Sequence, residues 1–228
     1  MTCQLSIIIP VLHEADRINY ALNHIKTLDM EGSYEIIIVD GDPVGDTISV
    51  VKNRKVIKIL GKKGRGIQLN TGAEAASGIM LLFLHADTFL ASDCLNHIVR
   101  IGQQSDVVGG AFDLRIKSER KVFRIIEGMV FLRTRLTHIP YGDQAIFVRR
   151  EFFNRIGGFK EIPIMEDVEL MQRIKNLGGK IAIVPSKALT SSRRWEKEGV
   201  VFCTLRNWVL ITLFLMGVSP IRLSKFYR

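Results

Sequence analysis

The sequence predicts an α/β protein with a mostly parallel, Rossmann-like sheet flanked by helices, and three observations carry that reading. Two short apolar runs, 36–39 and 79–84, end abruptly at Asp40 and at His85-Ala86-Asp87, as strands buried on both faces do. Strand and helix periodicities alternate through the first half of the chain, the pattern of βαβ crossovers. At 228 residues and 47% hydrophobic, the chain has enough apolar surface for a sizeable core.

Each element follows from local pattern. Residues 5–10 form an apolar strand, and 15–27 a helix with Ile18, Leu22 and Ile25 on one stripe. A strand over 34–40, a helix over 46–54 and a strand over 55–60 come next. The small-residue segment 67–77 reads as a helix, 79–84 as a strand, and 92–103 as a helix closing the unit. Beyond it, 107–117 alternates at Phe112, Leu114 and Ile116, as a half-exposed strand would. Residues 118–136 read as a basic amphipathic helix, 145–149 as a strand, 167–176 as a helix and 180–184 as a strand. A hydrophobic helix over 199–217 ends the series. No repeat, low-complexity tract or linker divides the chain, so one continuous domain over 1–228 is expected, with a nucleotide-binding half (1–105), an acceptor half (106–198) and a helical tail (199–228).

Net charge is +9, from 32 Lys and Arg against 23 Asp and Glu, which favours an anionic partner. Cys3, Cys94 and Cys203 are far apart and lack metal-ligand spacing, so reduced thiols in a cytoplasmic protein are expected. The first residues lack a basic region before an apolar stretch, so no signal peptide is expected. The apolar run 208–218 is too short for a bilayer, which needs about 20 residues. Extending it to Gly199 brings in Arg206 and Asn207, which favours a core or interfacial helix. The basic residues are dispersed and no helix-turn-helix stands out, so nucleic-acid binding is not expected.

Four places carry candidate chemistry. Asp40 and Asp87 sit at the carboxyl ends of predicted strands, where open α/β sheets bind ligands, and Asp87 offers the hard oxygen ligand that a metal–diphosphate complex needs. The turn Gly61-Lys62-Lys63-Gly64-Arg65-Gly66 precedes a helix and suits phosphate, although it is neither a Walker loop nor a dinucleotide fingerprint. Glu166-Asp167 offers a general base, or simply acidic residues at a helix start. Arg194 and Trp195 offer a phosphate grip and a stacking face.

In order along the chain, these features resemble glycosyltransferase family 2 of the GT-A type. Ile7-Ile8-Ile9-Pro10-Val11-Leu12-His13-Glu14 resembles its opening strand, with His13 for Asn, and 37–47 its acidic glycine-containing loop. Gly64-Arg65-Gly66 with Asn70-Thr71-Gly72 is similar to its basic loop and helix. His85-Ala86-Asp87 stands at its Asp-x-Asp position, Glu166-Asp167 at its Glu-Asp pair, and Arg194-Trp195 at its late Arg-Trp. His-Ala-Asp-Thr, Gly142-Asp143-Gln144, Ser192-Arg193-Arg194-Trp195 and Gly217-Val218-Ser219-Pro220 resemble a small bacterial subgroup.

The resemblance implies an inverting transferase that takes a sugar from a UDP- or GDP-sugar, with Mn²⁺ or Mg²⁺, to an acceptor hydroxyl; the basic helix over 118–136 and the hydrophobic end add a lipid-linked hydroxyl to the candidates. It implies that Pro10 and Glu14 line the nucleoside pocket, Asp40 holds the base, and Arg65, Asn70 and Ala86 face the nucleotide. Asp87, with His85 beside it, would bind metal, Asp167 with Glu166 would supply the base, and Arg194 and Trp195 would close on the diphosphate. His85 in place of the first Asp suits Mn²⁺ better than Mg²⁺. The basic helix and hydrophobic end fit an anionic membrane surface approached from the cytoplasm. Two rivals are a sugar-phosphate nucleotidyltransferase, which wants a glycine-rich basic loop after the first strand where Pro10-Val11-Leu12-His13-Glu14 stands, and an inactive nucleotide-sugar-binding or membrane-associated protein.

Overall fold

A computed structural model describes residues 3–227. The signal-peptide expectation therefore lies partly outside the described residues, at Met1 and Thr2. Eight strands form one sheet in the order β3-β2-β1-β4-β7-β6-β8-β5. β1 (Leu5–Val11), β2 (Tyr34–Asp40), β3 (Ile57–Leu60) and β4 (Met80–Phe83) are parallel neighbours. β7 (Phe147–Arg149) runs antiparallel between β4 and β6 (Val107–Lys117). β8 (Lys180–Ser191) is parallel to β6, and β5 (Thr88–Leu90) closes the edge antiparallel to β8.

The strand alternation splits the core into two layers. Ile7, Ile9, Ile36, Ile38 and Leu82 pack on one face, under helices α1 (Ala15–Ile25) and α4 (Cys94–Gly102). Ile8, Ile37, Val39, Leu81 and Phe83 pack on the other, under α3 (Arg65–Glu74) and α7 (Glu166–Asn176). Both faces are covered, which is why 7–9, 36–39 and 80–83, the centres of β1, β2 and β4, are continuously apolar rather than alternating.

Several expected bounds move. The 46–54 helix is a single turn, α2 (Asp46–Ser49). β4 begins at Met80, leaving Ile79 exposed. β6 is buried along most of its length rather than half-exposed, because it lies between β7 and β8; its alternation emerges only at the exposed Arg115 and Lys117. β8 runs seven residues past the expected Val184, to Ser191, since β6 and β5 supply partners on both its sides. Short elements that periodicity missed are β5, α6 (Arg150–Arg155) and α8 (Arg193–Glu198). α5 (Lys121–Thr137), α9 (Val200–Leu215) and α10 (Pro220–Ser224) complete the helices. None of the described helices is long and apolar enough to cross a membrane.

The chain leaves β1 toward β2 and β3, then returns to β4 on the other side of β1. Strand order reverses there, and a crevice opens beyond the carboxyl ends of the strands. Pro10, Asp40 and His85-Ala86-Asp87 all sit at that edge.

Candidate active site

A cleft of about 270 Å³ opens at this edge. Its polar side carries Arg65, His85, Asp87, Asp143, Asp167 and Arg194. Pro10 lines a small gap beside it, shared with Arg65, His85, Gly142, Glu166 and Asp167.

Asp87 reaches the cleft because the sheet edge is built there. Thr88 pairs with Thr190 across β5 and β8, and that register carries the residues after β8 to the start of β5. Arg193 Nη2 thereby donates to Asp87 Oδ2 at 2.9 Å and lies 3.9 Å from Glu14 Oε1. The guanidinium of Arg193 thus spans two expected site carboxylates. His85 precedes Asp87 by two residues, and burial, with the Arg65 charge nearby, lowers its imidazole to about 4. It is therefore neutral at pH 7, the form that ligates metal.

Asp167 lies in the first turn of α7. Gly142 N donates to its Oδ2 at 2.5 Å and Val168 N to its Oδ1 at 2.8 Å. Gly142 opens a short 3₁₀ turn, Gly142–Gln144, tied to the sheet by Gln144 Nε2 donating to Phe112 O at 3.0 Å. A side chain at Gly142 would meet Asp167 Oδ2 at 2.9 Å and His85 Nε2 at 3.1 Å, so the close approach of the turn requires glycine. Met165, just before α7, has φ 66°, an uncommon conformation for a residue with a long side chain. It sits where the chain turns to aim Glu166 and Asp167.

Glu166 is buried, and Arg65 Nε donates to its Oε1. Burial pushes the Glu166 carboxyl above its ordinary range despite Arg65. Burial works against the Arg65 charge, but the carboxylates of Glu166 and Asp167 outweigh it and hold the guanidinium protonated. Arg194 Nη1 donates to Tyr227 Oη at 2.5 Å, and its guanidinium lies 3.9 Å from the centre of that ring. Trp195 Nε1 donates to Thr204 Oγ1 at 3.2 Å, and its ring meets Phe123 edge-on.

Four further expected nucleotide contacts, Asp40, Asn70, Ala86 and Glu14, have side chains engaged by the protein itself. Asp40 is fully buried; its oxygens accept from Asp42 N, Thr47 N and Ile48 N at 3.0–3.1 Å, so it organises the 41–48 loop and caps α2. Asn70 exchanges two hydrogen bonds with the backbone of Phe159, at 2.8 and 2.9 Å. Ala86 packs in the core and sets the spacing of His85 and Asp87. Glu14 Oε2 accepts from Arg17 at 3.2 Å. Sequence reasoning missed Arg193, Asp143, Arg133, Tyr141 and Tyr227 as neighbours of the site. Gly142-Asp143-Gln144 and Arg193 stood within quoted motifs, whereas nothing local marks Tyr227. Burial raises Asp143 to about 6, with Arg133 opposing. Among the described residues, one His/Asp group has ligand atoms within 4.8 Å of one another: His13, Asp42 and Asp46, at the exposed end of β1 and β2. His13 Nδ1 and Asp46 Oδ2 are 2.8 Å apart there, and that hydrogen bond raises the imidazole.

The sequence profile of glycosyl transferase family 2 matches residues 6–162. The chain belongs to that family. No curated protein sequence matches it at a significant level. The fold is similar to that of mannosyltransferase PcManGT from Pyrobaculum calidifontis in complex with GDP-Man and Mn²⁺, with TM-score 0.67 and 20% identity over 83% of this chain and 57% of that one. It is also similar to S. aureus TarS 1-349 in complex with UDP, with TM-score 0.66 and 17% identity over 82% of this chain and 60% of that one. A complex of the same TarS fragment with UDP-GlcNAc gives TM-score 0.62 and 16% identity over 82% and 58%. The chain thus spans about three-fifths of the length of these solved chains. The α/β fold is that of a GT-A family 2 glycosyltransferase.

Proposed function

We propose that this family 2 domain moves a sugar from a UDP- or GDP-sugar to an acceptor hydroxyl with inversion, at the cytoplasmic face of an anionic membrane. The observation that carries the reading is the convergence of Asp87, His85, Asp167, Arg65 and Arg194 on one cleft at the switch point of the sheet. In this reading residues 1–105 hold the nucleotide, 106–198 the acceptor, and 199–228 form a helical tail. The GDP-Man, UDP and UDP-GlcNAc complexes of the similar structures support the donor class.

The chemistry balances as a single displacement. The acceptor oxygen bonds to the anomeric carbon from the face opposite the diphosphate, and its proton passes to Asp167. The bond from that carbon to the diphosphate oxygen breaks, and the electron pair leaves with the nucleoside diphosphate, where Arg194 meets the charge. Glu166 acts by holding Arg65 beside the base. Asp87 with neutral His85 would hold a divalent ion, and this mixed oxygen–nitrogen pair fits Mn²⁺ better than Mg²⁺. Such an ion supplies charge neutralisation at the diphosphate. Pro10 and Glu14 border the nucleoside. Asp40 and Asn70 contribute through the loops they fix, Ala86 through spacing, and Trp195 through the cleft wall.

Titration with UDP and with GDP, each with and without Mn²⁺, beside Asp87→Ala, tests this. Metal-dependent binding of one nucleotide that Asp87→Ala abolishes is the expected result. Absence of binding to either nucleotide would refute the donor reading, and metal-independent binding would remove Asp87 and His85 as ligands. The Arg193–Asp87 pair favours one alternative, a binding protein without transferase activity, which predicts nucleotide binding with no turnover on any hydroxyl acceptor.

A further inference from the structure

The cleft has a second side that the donor chemistry leaves unused. Leu114, Ile126 and Val130 form one wall, from β6 and α5, and Trp208 and Ile211 of α9 form the other. The polar end of this apolar channel is Asp167. The same cleft also carries Tyr141, Thr204 and Asn207, so the hydroxyl carrier that matches the whole lining is an amphiphile, with a polar head at these groups and an apolar body against the apolar walls.

The same two helices are apolar on the outside as well. α9 buries only Val200, Cys203 and Leu210 among its residues. It exposes Val201, Phe202, Leu205 and Val209, at 55–69%. Trp208 belongs to both surfaces: it lines the cleft and is 48% exposed. α5 exposes Ile125, Leu132 and Leu136. A solvated helix of a globular domain is polar on such a face, and contiguous exposed apolar surface marks an interaction site. The charge beside it is mainly positive, with Glu119 the exposed acidic exception at the start of α5. Arg222 and Lys225 are exposed in and just after α10, whereas Arg206 is spent on Glu198. Lys117, Arg120 and Lys121 are exposed at the start of α5. Apolar helix faces with cationic neighbours complement the headgroups and acyl chains of an anionic bilayer.

We propose that α5 and α9 lie in the surface of an anionic bilayer and that the acceptor is a membrane-borne amphiphile. Its hydroxyl meets Asp167 and its apolar chain runs between the two helices past Trp208. The acceptor half of this inference rests on the glycosyltransferase reading above, and the bilayer half names the contact surface for the membrane face in that reading.

The chain's two tryptophans, Trp195 and Trp208, both line the cleft, so intrinsic fluorescence reports on it directly. The full chain is floated with vesicles of phosphatidylglycerol and phosphatidylcholine, and with phosphatidylcholine alone, and tryptophan quenching by bromine-labelled acyl chains is read in parallel. We expect flotation with the anionic vesicles, roughly ten-fold less with neutral ones or at high salt, and quenching of the tryptophans. Leu205→Glu and Val209→Glu, outside the catalytic machinery, abolish both while nucleotide binding is unchanged. No flotation at low salt, or flotation without quenching, overturns the bilayer proposal. So does a wild-type dimer by light scattering that the same variants dissociate, since the face would then bind a second copy. Nucleotide binding without flotation leaves the donor reading intact and sinks the inference. Flotation without nucleotide binding sinks the donor reading and the acceptor assignment with it.

Discussion

At Asp167 a single carboxylate is held by two backbone amides with its oxygens facing a cleft. Asp167→Asn keeps an acceptor oxygen for Gly142 N, exchanges the oxygen facing Val168 N for an NH2 group, and removes the base. We expect transfer to fall by about 10²–10⁴, with nucleotide affinity within about two-fold of wild type; equal losses of both would assign Asp167 a structural part instead. Asp143 gives a pH-dependent counterpart. Burial raises it to about 6, so the folded protein favours its protonated form. Its contribution to stability is full below its ordinary carboxylate range and is lost as pH rises through about 6. Relative to Asp143→Asn, the wild type should lose roughly 2 kcal/mol between about pH 4 and pH 7. Thermal melts of both proteins across that interval measure the difference, and parallel curves would contradict it.

α3 shows how an element fixes the site's floor. Its first turn delivers Arg65 to Glu166, and Asn70 ties it to the backbone of Phe159. Gly72 lets the helix approach β1: an added Cβ would lie 2.4 Å from Ile8 Cγ2 and 3.2 Å from Val39 Cγ2. Overpacking of that kind costs about 1–3 kcal/mol, against about 1 kcal/mol gained in helix propensity. Gly72→Ala should therefore lower the urea midpoint at unchanged m-value, by a net of up to about 2 kcal/mol; a higher midpoint would show that the helix shifts freely. Gln68 of the same helix donates to Val11 O and Val39 O, both at 2.8 Å, so the carboxyl ends of β1 and β2 are locked together where the crevice opens.

Across the whole molecule, the C-terminal helices are tied to the catalytic turn. Leu210 and Leu223 pack with Ile164, Met165 and Val168, the residues that bracket Glu166 and Asp167. Tyr227 holds Arg194 across the same gap. Leu210→Ala should cost about 2–4 kcal/mol. Its local expression is faster amide exchange in α9 and α10 than in β1–β4; uniform exchange throughout would mean that tail and sheet unfold as one unit.

The strands expected over 5–10, 34–40 and 79–84 were legible because both sheet faces are covered and their central residues, 7–9, 36–39 and 80–83, are all apolar. The order of motifs around Pro10, Asp40, Asp87 and Glu166-Asp167 pointed to the family for a chemical reason: strand ends and helix starts are where carboxylates serve diphosphates. Exposure was less legible. Asp40 and Asn70 read as ligand contacts, yet both spend their hydrogen bonds on backbone, since a local motif does not say which way a side chain turns. Arg193 on Asp87 follows from the pairing of β5 with β8, and Tyr227 on Arg194 from the return of the tail. Composition and periodicity by themselves determined the α/β class, the buried strands and the residue types available for catalysis. Only the tertiary structure decided which charges meet, because ion pairs between residues far apart in sequence depend on strand register and helix docking, neither of which a local pattern encodes.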